Sequence, residues 1–493
     1  MTDTRPFSRA GIVVSQTICR KGYTHVYDFG LLSPVWAGTR AAELTSDTAF
    51  AQAMLDVEVA WCTAQVKFGT APESITAAVA AAGDIDDYDL VAIANQTPNG
   101  ANALIPLLAA MRDKVAATNA DAAAYVHRGA TSQDIIDTAL MLLTARVGEH
   151  ALGHLKTSVR QLTDLAAAHA NTVMIGRSLD QHAQPISFGY RVSQWIEALG
   201  SAGQHFETTL GNLPLQWGGA VGTSTWWVDY FRAEQPENDP MSLVNRQREL
   251  LAEELGLFPA SVWHANRIPV TTVAQAAFQM VAAAAKLAND VLTAVQAEHA
   301  ELAEPTAPGR GGSSAMPHKN NPVLSIRLKS AAQVAAGDLN TLHTGVIANT
   351  AERADGGWHT EWAALRDLLR TTGAVTEILA ELTGGLEVFP EAMRRNLDIH
   401  GNYLMLGRIT QWLGPVIEAH GGMSEGTGKQ FVQTTCQQAI ANGDDLAETL
   451  VANLPEGLVS VDAVNKVLDP SGYMGGAATI VAEVNSRYRK WSI

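Results

Sequence analysis

The stretch GRGGSSAMPHKNNPV, Gly309 to Val323, sets three glycines and two serines ahead of a His-Lys pair, two asparagines and a proline. No packed helix or strand favours that composition. It suits removal of a proton next to a carboxylate. Such a proton is weakly acidic, and the carbanion it leaves spreads its charge into the carboxylate. The reaction therefore needs a base, together with fixed cations or dipoles aimed at the developing oxyanion. Ser313 can be that base only as an alkoxide. Flanking glycines let backbone N–H groups turn inward, and a following helix N-terminus would add positive potential. Lys319 and Asn321 can then hold the carboxylate, with Ser314 and Met316 in the same loop. The Gly-Ser part alone suits a flexible connector with a capping serine equally well; the full string argues against that reading.

Three further stretches carry polar groups at useful spacing. In HRGATSQDIIDTAL, His127 to Leu140, Thr131 followed by Asp134 has the pattern of a helix N-cap with an acid in the first turn. The hydroxyls of Thr131 and Ser132, with the free N–H groups of that turn, would also bind a carboxylate. His127 just before them is a proton donor or a polar packing residue. In GRSLDQHAQPISFGYR, Gly176 to Arg191, the candidate substrate contacts are Gln181 and Arg191, while His182 reads more simply as a surface or core residue. In TPNGANALIP, Thr97 to Pro106, Asn99 and Asn102 can offer amides to a ligand or shape a turn before a helix.

These groups need elements to hold them. Ser46 and Asp47 can cap a helix carrying Phe50, Met54, Val57 and Trp61 at three- and four-residue intervals. Val270 to Glu304 contains neither Gly nor Pro; as one helix it would span roughly 52 Å. Long, Ala-rich, weakly amphipathic helices point to a bundle covered on several sides. No alternating pattern is sustained over several segments, so the class is all-α. Boundaries are expected near Asp121–Tyr125, where a helix-like run ends before HRGATSQD, and near Thr372–Gly373, where the long-helix region gives way to shorter elements. The chain has 493 residues, 47% of them hydrophobic, enough for a large core. Its 34 Lys+Arg against 50 Asp+Glu give a formal charge of −16, which argues against nucleic-acid or membrane-surface partners but allows a local cationic pocket for a small anion. Three scattered cysteines, Cys19, Cys62 and Cys436, outline neither a disulfide framework nor a metal site, so a reducing cytoplasm is expected. Residues 1–27 read as a mobile leader with no long apolar run.

GGSSAMPHKNNPV, HRGATSQDIIDTA and TPNGANALIP, in reverse chain order, resemble the three motifs of the aspartase/fumarase superfamily. The resemblance runs from about Asp28 to the C-terminus. GLLSPVWAGT, SDTAFAQAMLDVEVAW, EPTAPGRGGSSAMPHK, ERADGGWHTEWAALR and LDPSGYMGGA are most similar to the 3-carboxy-cis,cis-muconate cycloisomerase branch, which the nitrosuccinate lyases also resemble. Adenylosuccinate lyases share the loop and the last stretch but fit the rest less well.

The resemblance implies an all-α fold in three domains, here 28–125, 126–372 and 373–493. It further implies a homotetramer around a central helical bundle, with each site assembled from three subunits and no cofactor or metal. By motif position it makes Ser313 the base, Lys319 and Asn321 carboxylate and carbanion contacts, Thr131 and Ser132 the carboxylate site, and His127 and Gln181 polar site residues. Two departures stand out. Asn320 replaces the usual loop arginine, removing a positive charge. Leu179 stands where adenylosuccinate lyase and fumarase carry a histidine acid, a feature the cycloisomerases share. The expected function is β-elimination, or its reverse, on a succinate-type di- or tricarboxylate through a serine-generated carbanion with a weakly basic leaving group; 3-carboxy-cis,cis-muconate cycloisomerisation is the first reading, with nitrosuccinate lyase and adenylosuccinate lyase-like chemistry as the alternatives. The superfamily also includes non-catalytic lens proteins, but an intact Ser313, Lys319 and Asn321 argue against a scaffold.

Overall fold

The computed structural model describes residues 29–421 and 427–493. The leader expected over 1–27 and Cys19 lie outside the described residues. Helix α1, Asp47–Phe68, begins where Ser46 Oγ accepts from the Ala49 amide at 3.1 Å and ends at Gly69, whose φ of 88° only glycine adopts readily. Met54, Val57 and Trp61 are buried along it, and Phe50 is half-buried.

Five helices form the main bundle. They are α2, Ser132–Ala168; α3, Phe188–Leu210; α4, Ile268–Ala294; α5, Val323–Ile347; and α6, Gly356–Gly384. Between α2 and α3 stands an antiparallel hairpin, β1 Val173–Ser178 and β2 Gln181–Ser187. A second small ribbon pairs Leu302–Ala303 with Glu387–Val388. The fold is all-α apart from these ribbons.

Hydrogen bonds fix the direction of each helix. Near the start of α2, Trp358 Nε1 donates to Asp137 at 2.9 Å; near its end, Thr383 donates to Gln161 at 2.7 Å, so α2 and α6 run in parallel. Arg267, just before α4, meets the same Asp137, and Asp290 near the other end of α4 accepts from Trp195 at 2.6 Å, close to the start of α3. So α4 is parallel to α2, and α3 runs back. The α5 helix also runs back: it starts beside Glu304 and ends where Asn349 reaches Ala265 O at 3.0 Å. The bundle thus has a hairpin end and an α2-start end. The α5 helix has 25 residues, which separates the two ends by about 37 Å.

Two expectations need correction. The helix foreseen over Val270–Glu304 is α4, which starts two residues earlier but stops at Ala294; Ala300 then takes a left-handed φ of 48°. Glu301 and Glu304 leave the helix because each is a buried carboxylate with partners elsewhere. Arg177 donates to Glu301 at 2.8 and 3.1 Å, and the Leu324 and Ser325 amides donate to Glu304 at 2.9 and 2.7 Å. The longest helix is α2, with 37 residues. The boundary foreseen near Thr372–Gly373 falls inside α6. Gly373 is there for close packing: a Cβ would come within 2.7 Å of Ala41 Cβ. The core changes further on, near Asp398–Met405. A separate small core gathers Ile409, Leu413, Val432, Leu450 and Val464, and the last helix, Ala477–Trp491, returns to the main bundle through Tyr488. The boundary near Asp121–Tyr125 coincides with a 3-10 turn, Ala120–Tyr125. Among the described residues α4 alone is long and apolar enough to cross a bilayer, and it packs between α3, α5 and α6 as a core helix.

Candidate active site

At the hairpin end, Gly309–Pro322 folds back on itself. The backbone N–H and side-chain amide of Asn321 both donate to Gly311 O, at 2.8 and 2.9 Å, and Gly312 bridges to Asn320. Asn321 therefore closes the neck of the loop. Gly311 has a φ of +72°, and a Cβ there would lie 2.4 Å from Asn320 Oδ1. Ser313 is half-buried, and its Oγ accepts from the Met316 amide at 3.2 Å. Ser314, Met316 and Lys319 are exposed, and Lys319 makes no ion pair among the described residues. The start of α5 was expected to lend Ser313 positive potential. Its Leu324 and Ser325 amides are instead occupied by the Glu304 carboxylate. That leaves Lys319 as the loop's free cation beyond Arg310, which is paired to Glu381.

The hairpin supplies the second group. Leu179 and Asp180 form its two-residue turn with φ of 52° and 60°, the sense that fits strand twist. Leu179 is 96% exposed and Gln181 beside it is also exposed. His182 points the other way, its ring centre 5.0 Å from that of His400. Burial, with Arg177 and His400 nearby, pushes its pKa below the usual histidine range. Arg191, expected to face a substrate, is instead drawn to Glu301 at 3.8 Å, a fully buried carboxylate also held by Arg177 and Asn396. Burial would raise the pKa of Glu301, but these donors hold it below the ordinary carboxylate range.

The opposite end of the bundle is built around Asp134. This wholly buried carboxylate accepts from the amides of Thr131, Gly218 and Gly219 at 3.0, 2.8 and 2.9 Å, and lies 2.8 Å from His264 Nε2. It locks the turn before α2, so the Thr131–Asp134 pattern is a true cap. Thr131 Oγ1 accepts from Arg353 Nη1 at 2.7 Å, and Ser132 is the half-buried first residue of the helix. Arg353 thus brings a guanidinium to the two hydroxyls read as a carboxylate site. It lies 222 residues away in the chain, so no local pattern could have linked it to them. His127, at a φ of 62°, has Nδ1 2.6 Å from Glu58 Oε1, a buried carboxylate that orients the ring. Asn102 is a turn residue: it donates to Gly100 O at 3.2 Å and accepts from the Ile105 amide at 3.3 Å. Asn99 is exposed on the helix Leu90–Gly100.

One chain therefore groups His127, Thr131, Ser132 and Arg353 at one end, and Ser313, Lys319 and Gln181 at the other. Across about 37 Å the two groups cannot share one small ligand within a chain. Among the described residues no cluster of His, Cys, Asp and Glu is placed to hold a metal ion.

A family model described as lyase matches residues 37–337. The chain is 37% identical to a nitrosuccinate lyase of Streptomyces davaonensis, across 92% of this chain and 94% of that one. It is 32% identical to a 3-carboxy-cis,cis-muconate cycloisomerase of Bradyrhizobium diazoefficiens, across 92% and 96%. Among solved structures, a 3-carboxy-cis,cis-muconate lactonizing enzyme from Pseudomonas putida superposes with a TM-score of 0.83 at 30% identity, covering 94% of this chain and all of that one.

Proposed function

Because the chain belongs to the lyase family of the aspartase/fumarase superfamily, we propose that it catalyses β-elimination on a succinate-type dicarboxylate and releases a weakly basic anion, with nitrosuccinate as the preferred substrate. One observation carries the choice of leaving group: Leu179 stands exposed at the hairpin tip, at the position where the superfamily resemblance implies a histidine acid in adenylosuccinate lyase and fumarase. A leucine protonates nothing. Nitrite leaves unaided, as does a carboxylate, whose conjugate acid has a pKa of about 4. Asn320, in place of a cation, favours two carboxylates over three.

In this reading, Thr131, Ser132 and Arg353 bind one carboxylate and Lys319 the other. The Ser313 alkoxide takes the proton α to a carboxylate. The electron pair forms the C=C bond of fumarate as the C–N bond breaks, and nitrite departs. The step is redox-neutral. His127, oriented by Glu58, is available to return the proton to solvent. Since the two groups lie at opposite ends of one chain, the site is assembled between copies in a cytoplasmic homotetramer. Ile326, Val334 and Ile347, exposed on α5, support such packing.

A second reading, cycloisomerisation of a carboxymuconate, is favoured by the superposition on the lactonizing enzyme. It satisfies the same leaving-group rule. The test is turnover by the purified enzyme of nitrosuccinate, carboxymuconate, aspartate, malate and adenylosuccinate. Nitrosuccinate is expected to be the best substrate. Efficient turnover of malate or adenylosuccinate, with the first three inert, would overturn the proposal.

A further inference from the structure

A cavity of about 650 Å³ opens beside the turn that carries His127, walled by Arg128, Asp121, Tyr125, Asn119, Ser74 and Ile75 among others. Its walls are fixed. Asn119 Oδ1 accepts from the Asp121 and Ala122 amides at 3.2 and 3.4 Å, and its Nδ2 donates to Ser74 O at 3.2 Å, tying the 3-10 turns Glu73–Ile75 and Ala120–Tyr125 together. Arg128 lines the cavity, and its guanidinium sits in an aromatic box. Its guanidinium carbon lies 5.2 Å from the ring centre of Tyr125, 4.8 Å from Trp226, 5.3 Å from Trp227 and 4.9 Å from Tyr230. Four ring faces stabilise the cation without neutralising it. Among the described residues its side chain makes one hydrogen bond, Nη1 to Thr70 O at 2.9 Å, which leaves other donors of the five-donor fork free.

Asp121 lines the same cavity. It is exposed and has no ion-pair partner among the described residues. One cavity thus carries a cation and an anion, neither of them in an ion pair among the described residues. A purely anionic ligand would meet Asp121, and a purely cationic one would meet Arg128. A ligand with both charges satisfies both.

We propose that this cavity binds a zwitterionic α-amino acid with an apolar side chain: its carboxylate on Arg128, its ammonium on Asp121, and its side chain against Pro72, Ala124 and the Tyr125 ring. Charge-assisted hydrogen bonds at both ends give selectivity for the zwitterion that neither charge gives alone.

The test is isothermal titration calorimetry on the full-length protein. The probes are L-leucine, 4-methylpentanoate, which lacks the amine, and 3-methylbutylamine, which lacks the carboxylate. Leucine is expected to bind once per chain, and each control at least about tenfold more weakly. Asp121→Asn and Arg128→Lys are each expected to weaken leucine by a similar factor. Asp121 is an exposed wall residue, so Asp121→Asn keeps the test valid even if Arg128→Lys disturbs the aromatic box. Absence of binding at millimolar leucine, equal binding of the controls, or unchanged affinity in Asp121→Asn would overturn the proposal. Binding is read without turnover, so the result is independent of the lyase assignment.

Discussion

Two crippled variants should rescue each other. Ser313→Ala removes the proposed base, and loss of a general base costs about 10²–10⁴ in rate. Thr131→Val removes the hydroxyl that accepts from Arg353 at 2.7 Å; a hydrogen bond to a charged group contributes about 1.5–3 kcal/mol, or roughly a 10- to 150-fold loss. Within one chain these residues lie at opposite ends of α5, so the proposed site takes Ser313 from one copy and Thr131 from another. In a randomised one-to-one mixture each position is intact with a chance of about one half, so about one quarter of the sites contain both side chains. The mixture is therefore expected to reach about 25% of wild-type turnover, against about 10% or less for either variant alone. The assay is steady-state turnover after co-refolding, with native mass spectrometry to verify exchange. If the exchanged mixture is no more active than the mean of its two parents, sites are not shared between chains and the reasoning from bundle length fails.

Three further outcomes follow from local geometry. Arg267→Met leaves the buried carboxylates of Asp137 and Glu361, now held by Arg267 at 2.7–3.2 Å, without a counter-charge; urea denaturation should show a loss of about 3–5 kcal/mol, and an unchanged midpoint would contradict the ion triad. Gly311→Ala must hold a left-handed φ and meets Asn320 Oδ1; it should cost about 1–2 kcal/mol locally, opening the loop to protease and lowering kcat more than fold stability, whereas wild-type kinetics would show that the loop neck is not needed. Burial, with Asp367 nearby, pushes the Asp338 carboxyl up to about 6. Stability from this group is therefore present below the ordinary carboxyl pKa and lost as pH rises through about 6. Asp338→Asn should accordingly raise the melting temperature more at pH 8 than at pH 5, and a pH-independent difference would exclude the shift.

Much of the helix architecture could be read directly. The cap at Ser46, the a/d-like spacing of Met54, Val57 and Trp61, and the Thr131–Asp134 cap are local patterns, and local hydrogen bonds realise them whatever the rest of the chain does. The all-α class and the lyase family were legible for a related reason. The glycine-serine loop and the Thr-Ser turn are short, contiguous strings whose composition has few other uses. Ser313, Lys319 and Thr131 therefore stand out as candidates from the sequence alone.

What the sequence could not decide depends on partners far away in the chain. The α4 helix had no Gly or Pro to stop it, yet it ends at Ala294 because Glu301 and Glu304 satisfy their charges on Arg177 and on the start of α5. Arg191 looked available to a ligand, but Glu301 takes it. Gly373 looked like a break and proved to be a packing contact with Ala41. Arg353 could not be linked to Thr131 until the tertiary fold set it, three residues before α6, against the start of α2. Local propensity sets where a helix can run. The desolvation of buried charges, settled only by the tertiary structure, sets where it must end and which polar groups remain free for a substrate.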